Sequence, residues 1–166
     1  MIKINILLLF LVLISCGGNT DSNKNSFEYK KIEKKGISLD KKSKEALIII
    51  NSSDLMKFDQ NELIVFEGQE ITLTLNHTGK MSKEIMGHNF VLLKKETDLD
   101  DFAQRAMLAR ENEYIPDGDE TITYTKMIGG GESDTITFSA PEKGSYVYIC
   151  TFPGHYGLMK GVLVVN

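Results

Sequence analysis

Two cysteines, three histidines and no apolar run long enough to cross a bilayer are what this sequence offers in 166 residues. Each scarcity narrows what the chain can be. Two cysteines cannot build a disulfide framework, and their positions suggest unrelated jobs. Three imidazoles, His77, His88 and His155, cap how many histidine-rich metal centres the chain can form. The apolar run from Ile4 to Ile14, broken only by Asn5, falls well short of the ~20 residues that a membrane-spanning helix needs. A basic patch interleaved with aromatics is also missing. Residues 47–166 hold 10 Lys and Arg against 18 Asp and Glu, and such an acidic body is repelled by phosphate backbones, so nucleic acid is excluded as a partner. The length suits one well-buried core and is short for two, which predicts a single domain.

The first residues read as an address. Lys3 precedes the short apolar run, and Ser15, Cys16, Gly17 and Gly18 follow it at once, which is a signal-peptide pattern. Leu13-Ile14-Ser15-Cys16 resembles the bacterial lipobox, in which cleavage before the cysteine leaves its thiol to carry diacylglycerol. The expectation is a signal peptide over 1–15 and lipidation at Cys16. Acyl chains contribute roughly 0.8 kcal/mol per buried methylene, so several of them hold a protein firmly on a membrane. The protein is thus expected to be a periplasm-facing lipoprotein of the bacterial cell envelope. Gly17 at the position after the cysteine favours the outer membrane.

Residues 16–46 are rich in Gly, Ser, Asn and Lys with few large apolar groups, and read as a flexible tether. From Leu47 the texture changes to short β-branched and apolar runs: LIIINS, LIVFEG, ITLTLN, HNFVLL, TITYTK, DTITFSA, SYVYIC and GVLVVN. Period-two alternation in Ile71-Thr72-Leu73-Thr74-Leu75 and turn residues between the runs predict an all-β sandwich or barrel of eight strands over 47–166. One stretch differs. Leu99, Phe102, Ala103, Ala106 and Met107 repeat at helical spacing after Asp98, which predicts one short external helix with an aspartate cap.

The segment Cys150-Thr151-Phe152-Pro153-Gly154-His155-Tyr156-Gly157-Leu158-Met159 places a thiolate, an imidazole and a thioether on one loop between two strands. Two His and one Cys with a weak axial Met form the ligand set for blue-copper electron transfer, and His88, in Met86-Gly87-His88-Asn89-Phe90, is the candidate for the second histidine. Zinc is the rival reading, since Cys and His also suit Zn²⁺, but it leaves Met159 idle. A redox-sensing thiol leaves both histidines idle.

The MGHNF and CTFPGHYGLMKG segments, with the order of strands and helix between them, resemble azurins from about residue 47 to the C-terminus. The resemblance implies a Greek-key cupredoxin fold holding one copper, with His88, Cys150, His155 and Met159 as ligands and the Gly87 carbonyl as an opposite weak axial group. It places Asn89 and Phe152 around the ligands, Asn89 by hydrogen-bonding across to the copper loop. It also implies an apolar docking surface of Met81, Ile85, Met86, Pro153, Gly154 and Leu158, which meets redox partners such as c-type cytochromes or terminal reductases. His77 aligns with a histidine that titrates in some azurins and is not expected to be a ligand. Three departures stand out. No second cysteine lies in this domain to form the disulfide azurins commonly carry, Phe90 stands where many have tryptophan, and the lipid anchor and tether are additions.

The implied function is a single-copper electron carrier of the envelope, not an enzyme. With His88 and His155 committed, one imidazole cannot make the second, histidine-rich copper centre that reduces oxygen or nitrite. A copper-binding or copper-delivery protein of the cell envelope is the alternative.

Overall fold

The computed structural model describes residues 42–166. The signal sequence, Cys16 and the tether up to residue 41 lie outside the described residues.

Alternation in sequence becomes alternation of burial, because successive strand side chains point to opposite faces. In β1 (Glu45–Ser53) Ala46, Ile48 and Ile50 are buried, and in β4 (Glu70–His77) Ile71, Leu73 and Leu75 are buried, with His77 continuing the same column. These two strands run parallel, in register from Glu45 opposite Glu70 to Ser52 opposite His77. With β2 (Lys57–Phe58) and β7 (Ser133–Ser139) they form a sheet of order β2-β1-β4-β7. The second sheet has the order β3-β9-β8-β5-β6, built from β3 (Glu62–Val65), β5 (Val91–Leu93), β6 (Thr121–Tyr124), β8 (Gly144–Ile149) and β9 (Lys160–Val165). The inner faces enclose one core, to which Leu63, Val65, Phe90, Leu92, Tyr148 and Leu163 contribute from the second sheet. Each fully buried aliphatic or aromatic side chain is worth about 1.5–3 kcal/mol. Among the described residues it is this packing, and no disulfide, that holds β1 in place.

Three details depart from the sequence expectation. The described residues form nine strands, because the two-residue β2 pairs antiparallel with the end of β1. A second helix, the single turn α1 (Lys83–Met86), precedes the His88 segment. His88 itself makes only an isolated bridge to Ile128, and the strand proper begins at Val91. The expected helix is α2 (Leu99–Leu108), capped by the Asp98 carboxylate, which accepts from the N–H groups of Asp100 and Asp101 at 3.1 Å. It packs Phe102 against Val91, Leu93 and Ile149 on the outer face of the second sheet.

The edge of β1 is closed by side chains where β2 gives out. Asp59 accepts from the Asn51 backbone N–H at 2.8 Å, and the Gln60 amide donates to the Ile49 carbonyl at 2.6 Å.

Within the core, Tyr148 and Gly161 face each other across the β8–β9 ladder. The Tyr148 hydroxyl donates to the Gln60 carbonyl at 2.7 Å, and its ring lies against Phe90 at 5.0 Å and Phe58 at 5.6 Å. A Cβ at Gly161 would overlap the Tyr148 ring and hydroxyl. Gly161→Ala is therefore expected to cost about 1–3 kcal/mol, the usual range for overpacking. Urea denaturation measures it, and an unchanged midpoint would show that β8 and β9 can part to admit a methyl group.

Candidate metal centre

The same period-two logic brings the donors together. On β8 the inward column runs Tyr146, Tyr148 and then Cys150, one residue past the strand end, and on the facing segment it runs Leu92, Phe90, His88. Both columns end at one pole of the sandwich. The loop after Cys150 turns back through Pro153 and Gly154, whose φ of +83° is a left-handed value that glycine adopts without penalty. It closes where the Cys150 N–H donates to the Met159 carbonyl at 3.0 Å, while the Met159 N–H donates to the His155 carbonyl at 2.8 Å.

Cys150 Sγ lies 3.9 Å from His88 Nδ1 and 3.7 Å from His155 Nδ1, and all three donor atoms fall within 4.8 Å of one another. Metal–nitrogen and metal–sulfur bonds of roughly 2.0 and 2.3 Å opened to a trigonal angle separate the donors by about 3.7 Å. The observed spacing fits an ion between them. All three residues are buried.

Their protonation suits a metal as well. His88 Nε2 lies 3.0 Å from the Ser53 carbonyl, which can only accept, so Nε2 carries the proton and Nδ1 turns a free lone pair inward. Burial, with His77 adding to it, pushes His88 down to about 4, and burial likewise lowers His155, so both rings are neutral at pH 7. Burial pushes the Cys150 thiol up to about 12, against which the N–H groups of Asn89 and Phe152 favour the thiolate. A cation that displaces this proton supplies the charge the pocket otherwise disfavours.

The two ligand-bearing segments are tied by a pair of hydrogen bonds. The Asn89 amide donates to Thr151 Oγ1 at 2.8 Å and accepts from the Thr151 N–H at 2.9 Å. Gly87 O is 3.8 Å from Cys150 Sγ. No larger residue fits at 87, because a Cβ would lie 2.5 Å from the Lys83 carbonyl and 3.0 Å from both Met127 Sδ and Phe152 Cδ2. Met159 is fully buried at the closing end of the loop. Around this pole Met81, Ile85 and Leu158 are exposed at 44%, 65% and 69%, Gly154 is exposed, and Met86, Phe152 and Pro153 are partly buried.

His77 lies outside the donor triple. Its ring stacks on His88 at 4.4 Å, its Nδ1 accepts the Gly79 N–H at 3.0 Å, and its Nε2 therefore donates to the Met86 carbonyl at 2.8 Å. The Ser53 carbonyl, Thr151 and Met127 also shape the site, and the sequence carried no signal for the first and third.

A two-sheet sandwich with a buried thiol and two neutral imidazoles at one pole defines a cupredoxin. Residues 44–166 match the family of copper binding proteins described as plastocyanin/azurin. Azurin-1 of Alcaligenes xylosoxydans xylosoxydans is 41% identical over 125 residues, covering 72% of this chain and 96% of that protein. Among solved structures, dithionite-reduced auracyanin from Roseiflexus castenholzii superposes with a TM-score of 0.66 at 38% identity, over 73% of this chain and 97% of that one. Auracyanin A, a "blue" copper protein from Chloroflexus aurantiacus, gives a TM-score of 0.67 at 35% identity, over 74% and 99%. The chain belongs to the plastocyanin/azurin family of copper binding proteins. It is a blue copper electron carrier with one copper per chain, at the site of His88, Cys150 and His155. Copper bound there supplies one-electron chemistry by alternating between Cu(I) and Cu(II).

Proposed function

We propose that this carrier works tethered to a membrane of the bacterial cell envelope, with Met159 and the Gly87 carbonyl as weak axial donors beside the three strong ligands. The observation that carries the ligand assignment is the convergence of three buried donors, two of them, Cys150 and His155, on a loop clamped at its base. Such a site exchanges an electron without rearranging its ligands. A copper-delivery protein needs donors that let the ion go, and the Asn89–Thr151 bonds oppose that.

Catalysis at a second copper centre is disfavoured by the histidines. The chain has three, and the one outside the donor triple, His77, has both ring nitrogens engaged with backbone groups. A site with four or five protein donors also leaves no open position for a substrate.

Electrons are proposed to pass at the apolar surface of Met81, Ile85, Met86, Pro153, Gly154 and Leu158. An exposed apolar patch on an otherwise acidic domain marks a contact site, and methionine lets it adapt to more than one partner. Redox encounters are small and brief, which suits partners such as c-type cytochromes or terminal reductases.

Three outcomes are expected. Cys150→Ser should fold yet lose the intense visible band of the Cu(II) protein, and a full-strength blue band in that variant would refute the thiolate assignment. Leu158→Asp should slow electron self-exchange and exchange with a cytochrome while leaving the visible spectrum nearly unchanged; wild-type kinetics at full copper loading would place the contact on another face. Cys16→Ala should abolish incorporation of labelled fatty acid and release the protein from membranes, and equal membrane partitioning of the variant would remove the lipid anchor.

A further inference from the structure

Consecutive residues Glu113 and Tyr114 both have left-handed backbones, with φ of 50° and 62°. Neither is glycine or asparagine, the residues that ordinarily occupy this region. The conformation is held by a closed set of bonds. The Glu113 and Tyr114 N–H groups donate to the carbonyls of Arg110 and Ala109 at 3.2 and 2.9 Å, and the Asn112 side chain donates to the Ile115 carbonyl at 2.7 Å. Glycine at either position would relieve the strain, and the two side chains that stand there instead both make contacts.

Each of them touches a residue that packs beside Gly87. The Glu113 carboxylate accepts the Met127 N–H at 3.1 Å, with its other oxygen 3.4 Å from Lys83 Nζ. The Tyr114 ring meets Phe152 edge-on, with centroids 5.5 Å apart at 62°. Met127 and Phe152 are the two side chains that flank Gly87, each 3.0 Å from where a Cβ would stand. Phe152 also lies 4.7 Å from the His155 ring, which in turn lies 5.1 Å from His88. Tyr114 is half-buried and lines an open cleft of about 310 Å³ with Arg110, Glu111 and Met127. Without its ring, Phe152 loses an aromatic contact on a side that adjoins solvent.

We infer that Tyr114 is a positioning residue of the centre: it holds the Phe152 ring as a wedge between Gly87 and His155, and so fixes the plane of the His155 imidazole. Glu113 performs the matching task for Met127 on the other flank of Gly87. The inference rests on reading this centre as the copper site, but its first readout requires no metal. Strain spent on the wedge keeps a ligand still, which a carrier needs when its ion changes charge.

The test compares Tyr114→Phe with Tyr114→Gly in the full chain. Glycine relaxes the backbone and deletes the ring; phenylalanine keeps the ring and the strain. In the copper-free protein, NMR should show displaced and broadened ring resonances of Phe152 and His155 for Tyr114→Gly and wild-type resonances for Tyr114→Phe. In the copper-loaded protein, the reduction potential should move for Tyr114→Gly alone, and electron self-exchange should slow severalfold. Should Tyr114→Gly fail to fold, Tyr114→Asn tolerates the same backbone and gives the same readings. Unchanged Phe152 and His155 resonances with an unchanged potential would overturn the positioning role. Displaced resonances in Tyr114→Gly, beside a wild-type protein that binds no copper or shows no blue band when loaded, would support that role and overturn the blue-copper reading instead.

Discussion

The paired hydrogen bonds between Asn89 and Thr151 are the constraint on which the centre depends. His88 sits beside Asn89 and Cys150 beside Thr151, on segments far apart in sequence, and these two bonds set the distance between them. Both are buried, where a hydrogen bond meets no competition from water and its loss leaves unpaired groups costing about 1–3 kcal/mol each. The bonds join the ends of two inward-facing strand columns. The β core therefore transmits its rigidity to the ligands with little flexible chain between.

Burial sets the electrostatics. Among the described residues no carboxylate joins the donor triple; the nearby Asp54 is engaged by the N–H groups of Lys80 and Met81, which hold it below the usual carboxylate range. The pocket disfavours a bare thiolate and a protonated imidazole alike. A cation that draws the charge of the sulfur is what such an environment best accommodates.

Most of the fold was legible because it follows from local pattern. The alternation in Ile71-Thr72-Leu73-Thr74-Leu75 is the burial pattern of β4, and Asp98 ahead of Leu99 is the cap of α2. Cys150, His88 and His155 were legible because few side chains serve a metal, and two of these three lie on one short loop. What escaped the sequence was made by distant contacts or by backbone. The two residues of β2 are a strand only because β1 lies beside them, and α1 is a single turn whose Ser82 makes no side-chain cap. The Ser53 carbonyl that fixes the His88 tautomer has no residue identity to read. The left-handed pair at Glu113 and Tyr114 is invisible to propensity, since nothing about those two residues favours it.

The closed edge of β1 has a bearing on how such a molecule lives among its own kind. A strand edge with free N–H and C=O groups is a template for another strand. Here Asp59 and Gln60 already occupy the Asn51 N–H and Ile49 carbonyl, so those two groups are closed to a second copy. A second copy would have to displace these two side chains before its own strand could pair there, so the edge resists strand-to-strand association at that point.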